Sequence, residues 1–295
     1  MFPDRQHGPH RDWKQEVEFL DNLFSNGAAY TIGKVNGDHW LLYLTSPTIH
    51  PSKPVDQIPE FPIPASDPDY TIEILMSDLS PTAREAFIFP QLNGASTPSV
   101  CAKLMSDKIG ISDIFPSNLT TLDAYAFTPC GYSANALISW DEQTSATSLP
   151  NGRTKQSGEG YYSIHVTPEP GWSYASFECN VPLPVNSPST PASDPSLNIP
   201  DLKSLVARVV SIFRPTRLTV TLFISNRENG VTADIDDIYG ASPSPVEVAQ
   251  RAFHVALTSE NSGASFGGGT YRRTDKINYE FGGYDLAFAS FELRL

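Results

Sequence analysis

Three groups of residues have the types and spacing to do chemistry. The first is Tyr161-Tyr162-Ser163-Ile164-His165-Val166-Thr167, followed by Pro168-Glu169-Pro170. Read as a strand, it sends Tyr162, Ile164 and Val166 to one face and Tyr161, Ser163, His165 and Thr167 to the other, so His165 stands on the more polar side. Prolines on either side of Glu169 restrict its backbone and lower the entropy of holding a carboxylate in place. The second is Phe127-Thr128-Pro129-Cys130-Gly131-Tyr132-Ser133. Pro129 and Gly131 bend the chain there, and the bend can aim Cys130 or Ser133 into a site. A serine and a histidine from different strands can make a base-assisted pair. The third group is acidic: Asp69, Glu73 and Glu178, set among Ile72, Ile74, Leu75 and Phe177. Carboxylates that turn inward from such strands need a cation or a proton with them. The plainer reading of each group is a solvated strand end, a tight connection around a buried cysteine, and exposed edge acids. Glycine-rich phosphate loops and HExxH zinc motifs are not found in the sequence.

The surrounding pattern predicts the elements that must position these groups. Trp13, Val17, Leu20, Leu23 and Phe24 recur at helical spacing behind Asp12 as N-cap, with Asn26-Gly27 as the stop. Tyr30, Ile32 and Val35 lead through Asn36-Gly37 into Trp40–Leu44, a hairpin signature. Residues 46–69 hold seven prolines and read as a loop or insertion. Further on, strands are expected at Thr71–Met76, Ala124–Thr128, Tyr132–Trp140, Tyr161–Thr167, Trp172–Glu178, Arg217–Ser225, Ala249–Leu257, Lys276–Phe281 and Asp285–Leu293. Helices are expected at Pro81–Ala86, Pro98–Lys108 and Asp201–Phe213, the last with a continuous apolar stripe from Leu202 to Phe213. Segments 141–160, 181–199, 226–246 and 259–273 are rich in Ser, Gly, Pro and Asn and read as insertions. Antiparallel strands with separate helices define an α+β layered fold.

Composition narrows the function. The 295 residues are 40% hydrophobic and 18% charged, and 26 prolines make about 9% of the chain against a usual ~5%. Thirty-three acids against 20 bases give a net charge of −13, which argues against a nucleic-acid partner and for a small cationic one. No apolar run reaches the ~18–20 residues that span a bilayer, and the first residues form no secretory core, so a cytoplasmic protein without membrane contact is expected. Cys101, Cys130 and Cys179 are too scattered for a disulfide framework or a CxxC metal site.

Several ordered blocks carry a resemblance. Pro9-His10-Arg11-Asp12-Trp13-Lys14-Gln15-Glu16-Val17-Glu18-Phe19-Leu20, Thr71-Ile72-Glu73-Ile74-Leu75-Met76-Ser77, Phe127 through Ser133, Ile164 through Pro170, Ser173-Tyr174-Ala175-Ser176-Phe177-Glu178 and Thr221-Leu222-Phe223 resemble the eukaryotic S-adenosylmethionine decarboxylases, with proline-rich insertions like those of fungal members. The resemblance implies an αββα sandwich, of which this chain holds mainly the C-terminal half. It divides the chain into residues 1–45 as a helix and hairpin of the first half, 46–69 as a proline-rich insertion and 70–295 as the second α+β half. It also implies a pyruvoyl cofactor made by self-cleavage at a Glu-Ser-Ser segment through an ester. That group offers a carbonyl as electron sink while the substrate loses CO₂, in the route to spermidine and spermine.

Matched position by position, His165 resembles the base of the elimination step and Ser133 the hydroxyl that assists processing. Phe127 resembles the ring that stacks on adenine, and Glu169 the carboxylate that holds the ribose. Asp69, Glu73 and Glu178, with Phe223 beside them, resemble the site for putrescine as activator. The chain contains no Glu-Ser dipeptide. The expectation is that it works with an N-terminal segment that carries the pyruvoyl-forming serine, and that by itself it neither processes nor turns over. The alternative from another class is a non-catalytic subunit that binds and activates a full-length decarboxylase. A homodimer is compatible with either, and no metal is expected.

Overall fold

In the computed structural model, residues 6–37, 39–45, 70–89, 97–140, 158–183, 199–225, 244–258, 269–281 and 284–294 are described. The chain divides into two compact units, Met1–Ser66 and Asp67–Leu295.

In the first unit, a short 3-10 turn precedes helix α1 (Trp13–Leu23), and Asp12 caps α1 by accepting from the Gln15 N–H at 3.2 Å. Strands β1 (Gly27–Gly33) and β2 (His39–Thr45) pair antiparallel, with Gly33 opposite His39. The hairpin therefore turns through five residues rather than the two of Asn36-Gly37. Val35 lies in the loop, where the Gly37 N–H reaches the Lys34 carbonyl at 2.9 Å.

The second unit is an eight-stranded sheet in the order β4-β5-β6-β7-β3-β8-β10-β9. Its strands are β3 (Tyr70–Leu79), β4 (Thr120–Ala126), β5 (Tyr132–Trp140), β6 (Gly158–Thr167), β7 (Tyr174–Cys179), β8 (Pro215–Ser225), β9 (Thr270–Phe281) and β10 (Tyr284–Arg294). All the pairings are antiparallel. Helices α2 (Pro81–Glu85), α3 (Pro98–Ile109), α4 (Leu202–Phe213) and α5 (Pro245–Thr258) complete the unit.

Alternation along the strands builds one core. Ile72, Ile74 and Met76 of β3 are buried, as are Ala134 and Ala136 of β5, Tyr162 and Ile164 of β6, and Ala175 and Phe177 of β7. They join one cluster with Leu205, Val206, Val209 and Phe213 of α4 and Cys101, Ala102 and Met105 of α3. Two aromatic series thicken it: Phe213 stacked on Phe87 with Tyr132 tilted against that ring, and the stack Phe115–Tyr162–Phe177. Buried rings of this size dominate core energetics, at ~3–5 kcal/mol for a Phe→Ala truncation.

Residues 249–257 are the one element whose type the periodicity misplaced. They belong to helix α5, not to a strand. Val246, Ala249, Gln250, Ala252, Phe253, Ala256 and Leu257 are its buried residues, with three- and four-residue steps from Val246 through Ala249 and Phe253 to Ala256 and Leu257, and the alanines favour helix over strand. Strand β9 also begins at Thr270, inside a stretch whose glycine and serine content read as insertion. No helix among the described residues is long and apolar enough to cross a membrane.

Candidate active site on the open face of the sheet

The residues opposite the helix-covered face form a second array. Register places Tyr125, Ser133, His165, Ser176 and Leu75 in one row across five strands, each opposite the next. The adjacent row runs Asn135, Ser163, Glu178, Glu73 and Thr221. Every predicted site residue on a described strand falls in these rows or next to them.

Ser133 and His165 meet. They are cross-strand partners of β5 and β6, and Ser133 Oγ lies 3.0 Å from His165 Nδ1. Their neighbours in sequence hold them from behind. The Ser106 hydroxyl donates to the Ala102 carbonyl and accepts from the Tyr132 hydroxyl at 2.6 Å, while the Tyr162 hydroxyl donates to the Ile111 carbonyl at 3.2 Å. Both tyrosines are buried, so β5 is anchored next to Ser133 and β6 three residues before His165. A histidine with Nδ1–H donating to a serine keeps its Nε2 lone pair as a base; in the other tautomer the serine donates. Either arrangement can hold and move one proton.

Residues 127–131 form a connection tied at both ends. The Phe127 N–H donates to the Gly131 carbonyl at 3.0 Å, the Gly131 N–H to the Phe87 carbonyl at 3.1 Å, and the Phe89 N–H to the Pro129 carbonyl at 2.9 Å. Gly131 takes φ +116°, where a side chain would be strained, and a Cβ there would sit 3.5 Å from that of Phe127. Phe127 is left with its ring exposed.

Cys130, at the end of this loop, is half-buried and donates its thiol to Glu169. Burial first, then the charge and hydrogen bond of Glu169, push the thiol pKa up. The loop of Phe127 and the turn of Glu169 thus come together, a contact sequence spacing could not reveal. That turn is itself anchored: the Trp172 N–H reaches the Glu169 carbonyl at 3.3 Å, and Ser173 accepts the Leu79 N–H on Oγ at 2.9 Å.

Glu73 and Glu178 are directly opposite on β3 and β7. Like charges in that position oppose each other. Burial and the Glu178 charge raise the Glu73 pKa. Two tyrosines missed in the sequence join them. The Tyr161 hydroxyl donates to Glu178 Oε1 at 2.6 Å, and this bond, with burial and the Glu178 charge, pushes its pKa up to about 12. Tyr174 is pushed to about 12 by burial and the Glu73 charge. Tyr161 shares strand parity with His165, a signal that was available. Phe223 pairs with Thr71, two residues from Glu73 on the same strand. Asp69 lies outside the described residues.

The raised Glu73 carries a stability prediction. A carboxyl whose folded pKa exceeds its unfolded value (~4.3) binds its proton more tightly when folded, so stability falls as pH rises from that value through the folded one. Glu73→Gln should raise the unfolding temperature at pH 7.5 by roughly 2 °C, the effect of relieving ~0.5–1 kcal/mol of cross-strand repulsion. The gain should vanish near pH 4. Thermal scans across pH measure it, and an equal gain at both pH values would contradict the assignment.

Among the described residues no group of three or more His, Cys, Asp or Glu side chains is placed to hold a metal ion. A small cavity lined by Tyr70, Ile72, Cys179, Leu202 and Leu222 is apolar and belongs to the core. The polar chemistry is on the open face.

Comparison with known proteins gives the chain its family. The family model for adenosylmethionine decarboxylase matches residues 1–292. S-adenosylmethionine decarboxylase proenzyme of Xenopus laevis is 31% identical over 291 residues, 99% of this chain and 62% of that protein. The proenzyme of Saccharomyces cerevisiae is 30% identical over 247 residues, 78% of this chain and 53% of its own length. The chain thus spans between half and two-thirds of these relatives. The Trypanosoma brucei AdoMetDC-delta26 monomer shares the fold, with a TM-score of 0.50 at 17% identity over 100% of this chain and 83% of that one. The α+β architecture expected from the pattern is therefore the observed one, and with a family model running almost end to end the chain belongs to the adenosylmethionine decarboxylase family.

Proposed function

We propose that the protein is an S-adenosylmethionine decarboxylase, releasing CO₂ from the substrate carboxylate and forming decarboxylated S-adenosylmethionine for spermidine and spermine synthesis. The observation that carries this reading is the Ser133–His165 pair, at 3.0 Å on the open sheet face of a chain in this family. The relatives' names favour a decarboxylase over a non-catalytic activating subunit.

A pyruvoyl group is the cofactor of this reading, and the donor set fits it. The hydroxyl of Ser133 can donate to a ketoacyl oxygen, and the imidazole beside it can take a proton. When bound, such a group supplies the electron sink for the carbanion left by CO₂ loss. In this scheme Ser133 orients, and His165 is the base that serves maturation. Phe127 offers a face to the adenine. Glu169 accepts from the ribose hydroxyls, with the Cys130 thiol beside it. Glu73 and Glu178, with Asp69 and Phe223, are the proposed diamine site, where two ammonium ends would neutralise facing carboxylates.

The test is release of labelled CO₂ from carboxyl-labelled S-adenosylmethionine by the full natural protein. Glu169→Gln should raise KM by ~10-fold or more, since a neutral amide replaces a charge-assisted acceptor, with a smaller effect on kcat. No CO₂ release from the parent overturns the reading.

A further inference from the structure

Tyr125 is the first residue of the row that contains the Ser133–His165 pair, directly opposite Ser133 and on the same face. Its ring meets that of Phe127 at a centroid distance of 5.1 Å and an interplanar angle of 58°. Pairs at 4.5–7 Å in tilted geometry are attractive beyond their buried area. Both rings remain broadly exposed, Tyr125 at 47% and Phe127 at 46%. Phe127 also has the Gly131 backbone beside it, where an added Cβ would lie 3.6 Å from its ring. Phe127 thus has next to it a glycine that leaves it room and a tyrosine that braces it.

An exposed ring at a loop tip samples several rotamers, and a ligand that stacks on it must meet the cost of choosing one. A bracing ring removes that cost before the ligand arrives. We propose that Tyr125 is a positioning residue for a purine nucleoside: it holds the Phe127 ring in the orientation that stacks on the base, at one end of a row whose next two members are Ser133 and His165. The proposal rests on the decarboxylase reading above and extends it to a residue that needs no polar contact with substrate.

The experiment uses the full natural protein with ¹³C-labelled phenylalanine and 5′-methylthioadenosine as probe. In Tyr125→Ala the Phe127 resonances should lose the ring-current shift from Tyr125 and broaden, and the dissociation constant should rise ~3–10-fold. Tyr125→Phe, which keeps the ring, should stay within about two-fold of the parent, and the unfolding temperature of both should change little. If Tyr125→Ala binds the probe as tightly as the parent, the bracing role alone is overturned. Equal losses in Tyr125→Ala and Tyr125→Phe also overturn it, because they assign the effect to the hydroxyl. A parent that does not bind the nucleoside overturns the decarboxylase reading together with this one.

Discussion

Replacing His165 with alanine is expected to slow maturation of the full natural protein by ~10²–10⁴-fold, the usual contribution of one positioned general base. The side chain is exposed on the face away from the helices, and its backbone partners lie in the middle of an antiparallel ladder. Folding should therefore survive the change, with stability within ~0.5 kcal/mol of the parent. The lost function is proton abstraction in the elimination that follows the proposed ester, so the variant should accumulate a chain that hydroxylamine cleaves. Ser133→Ala makes a useful contrast. It removes the hydrogen-bond partner that orients the imidazole but leaves the base itself, so its defect should be smaller than that of His165→Ala. Electrophoresis of the precursor over time, with and without hydroxylamine, reads both. A His165→Ala protein that matures at the parental rate would remove His165 from the role and leave the pair as a strand contact.

Much of this site was legible in strand parity. The alternation from Tyr161 to Thr167 placed His165 on the polar face, and the structure keeps it there, with Tyr162, Ile164 and Val166 buried. The helix from Leu202 to Phe213 was equally plain, because its apolar stripe is continuous and Asp201 caps it at 2.6 Å through Ser204 N–H. Pairings between distant strands were not legible. That Ser133 faces His165, and Glu73 faces Glu178, depends on which strand lies next to which, and antiparallel neighbours 32 or 105 positions apart leave no periodic trace. Local type failed at residues 249–257 because a buried helix rich in alanine and valine presents the same short apolar run as a strand. Cys130 and Glu169 are brought together by two loop ends, a contact that needs the sheet to be assembled first.

Putrescine is expected to stabilise the protein, and Glu178→Gln is expected to abolish most of that response. The physical requirement is the cross-strand pair: Glu73 and Glu178 face each other on the open side of the sheet, and burial and the Glu178 charge both penalise ionised Glu73, raising its pKa above that of an ordinary glutamate. A diamine offers two positive ends without adding an apolar side chain, so it can neutralise both groups at once. At ~100 times its dissociation constant a ligand that binds only the folded state adds ~2.7 kcal/mol, several degrees in unfolding temperature for a unit of this size. Glutamine at 178 removes one charge yet can still accept from the Tyr161 hydroxyl, which now lies 2.6 Å from Glu178 Oε1. The variant should therefore fold as well as the parent, or slightly better without ligand, and lose most of the putrescine shift. The direction of the pH effect is also set. Lowering pH toward the ordinary glutamate value protonates Glu73, whose pKa is raised, so the putrescine response of the parent should shrink as pH falls toward that value. An unchanged shift in Glu178→Gln, or a parent that ignores putrescine at every pH, would leave the two carboxylates as a charge pair managed by Tyr161 and Tyr174 alone.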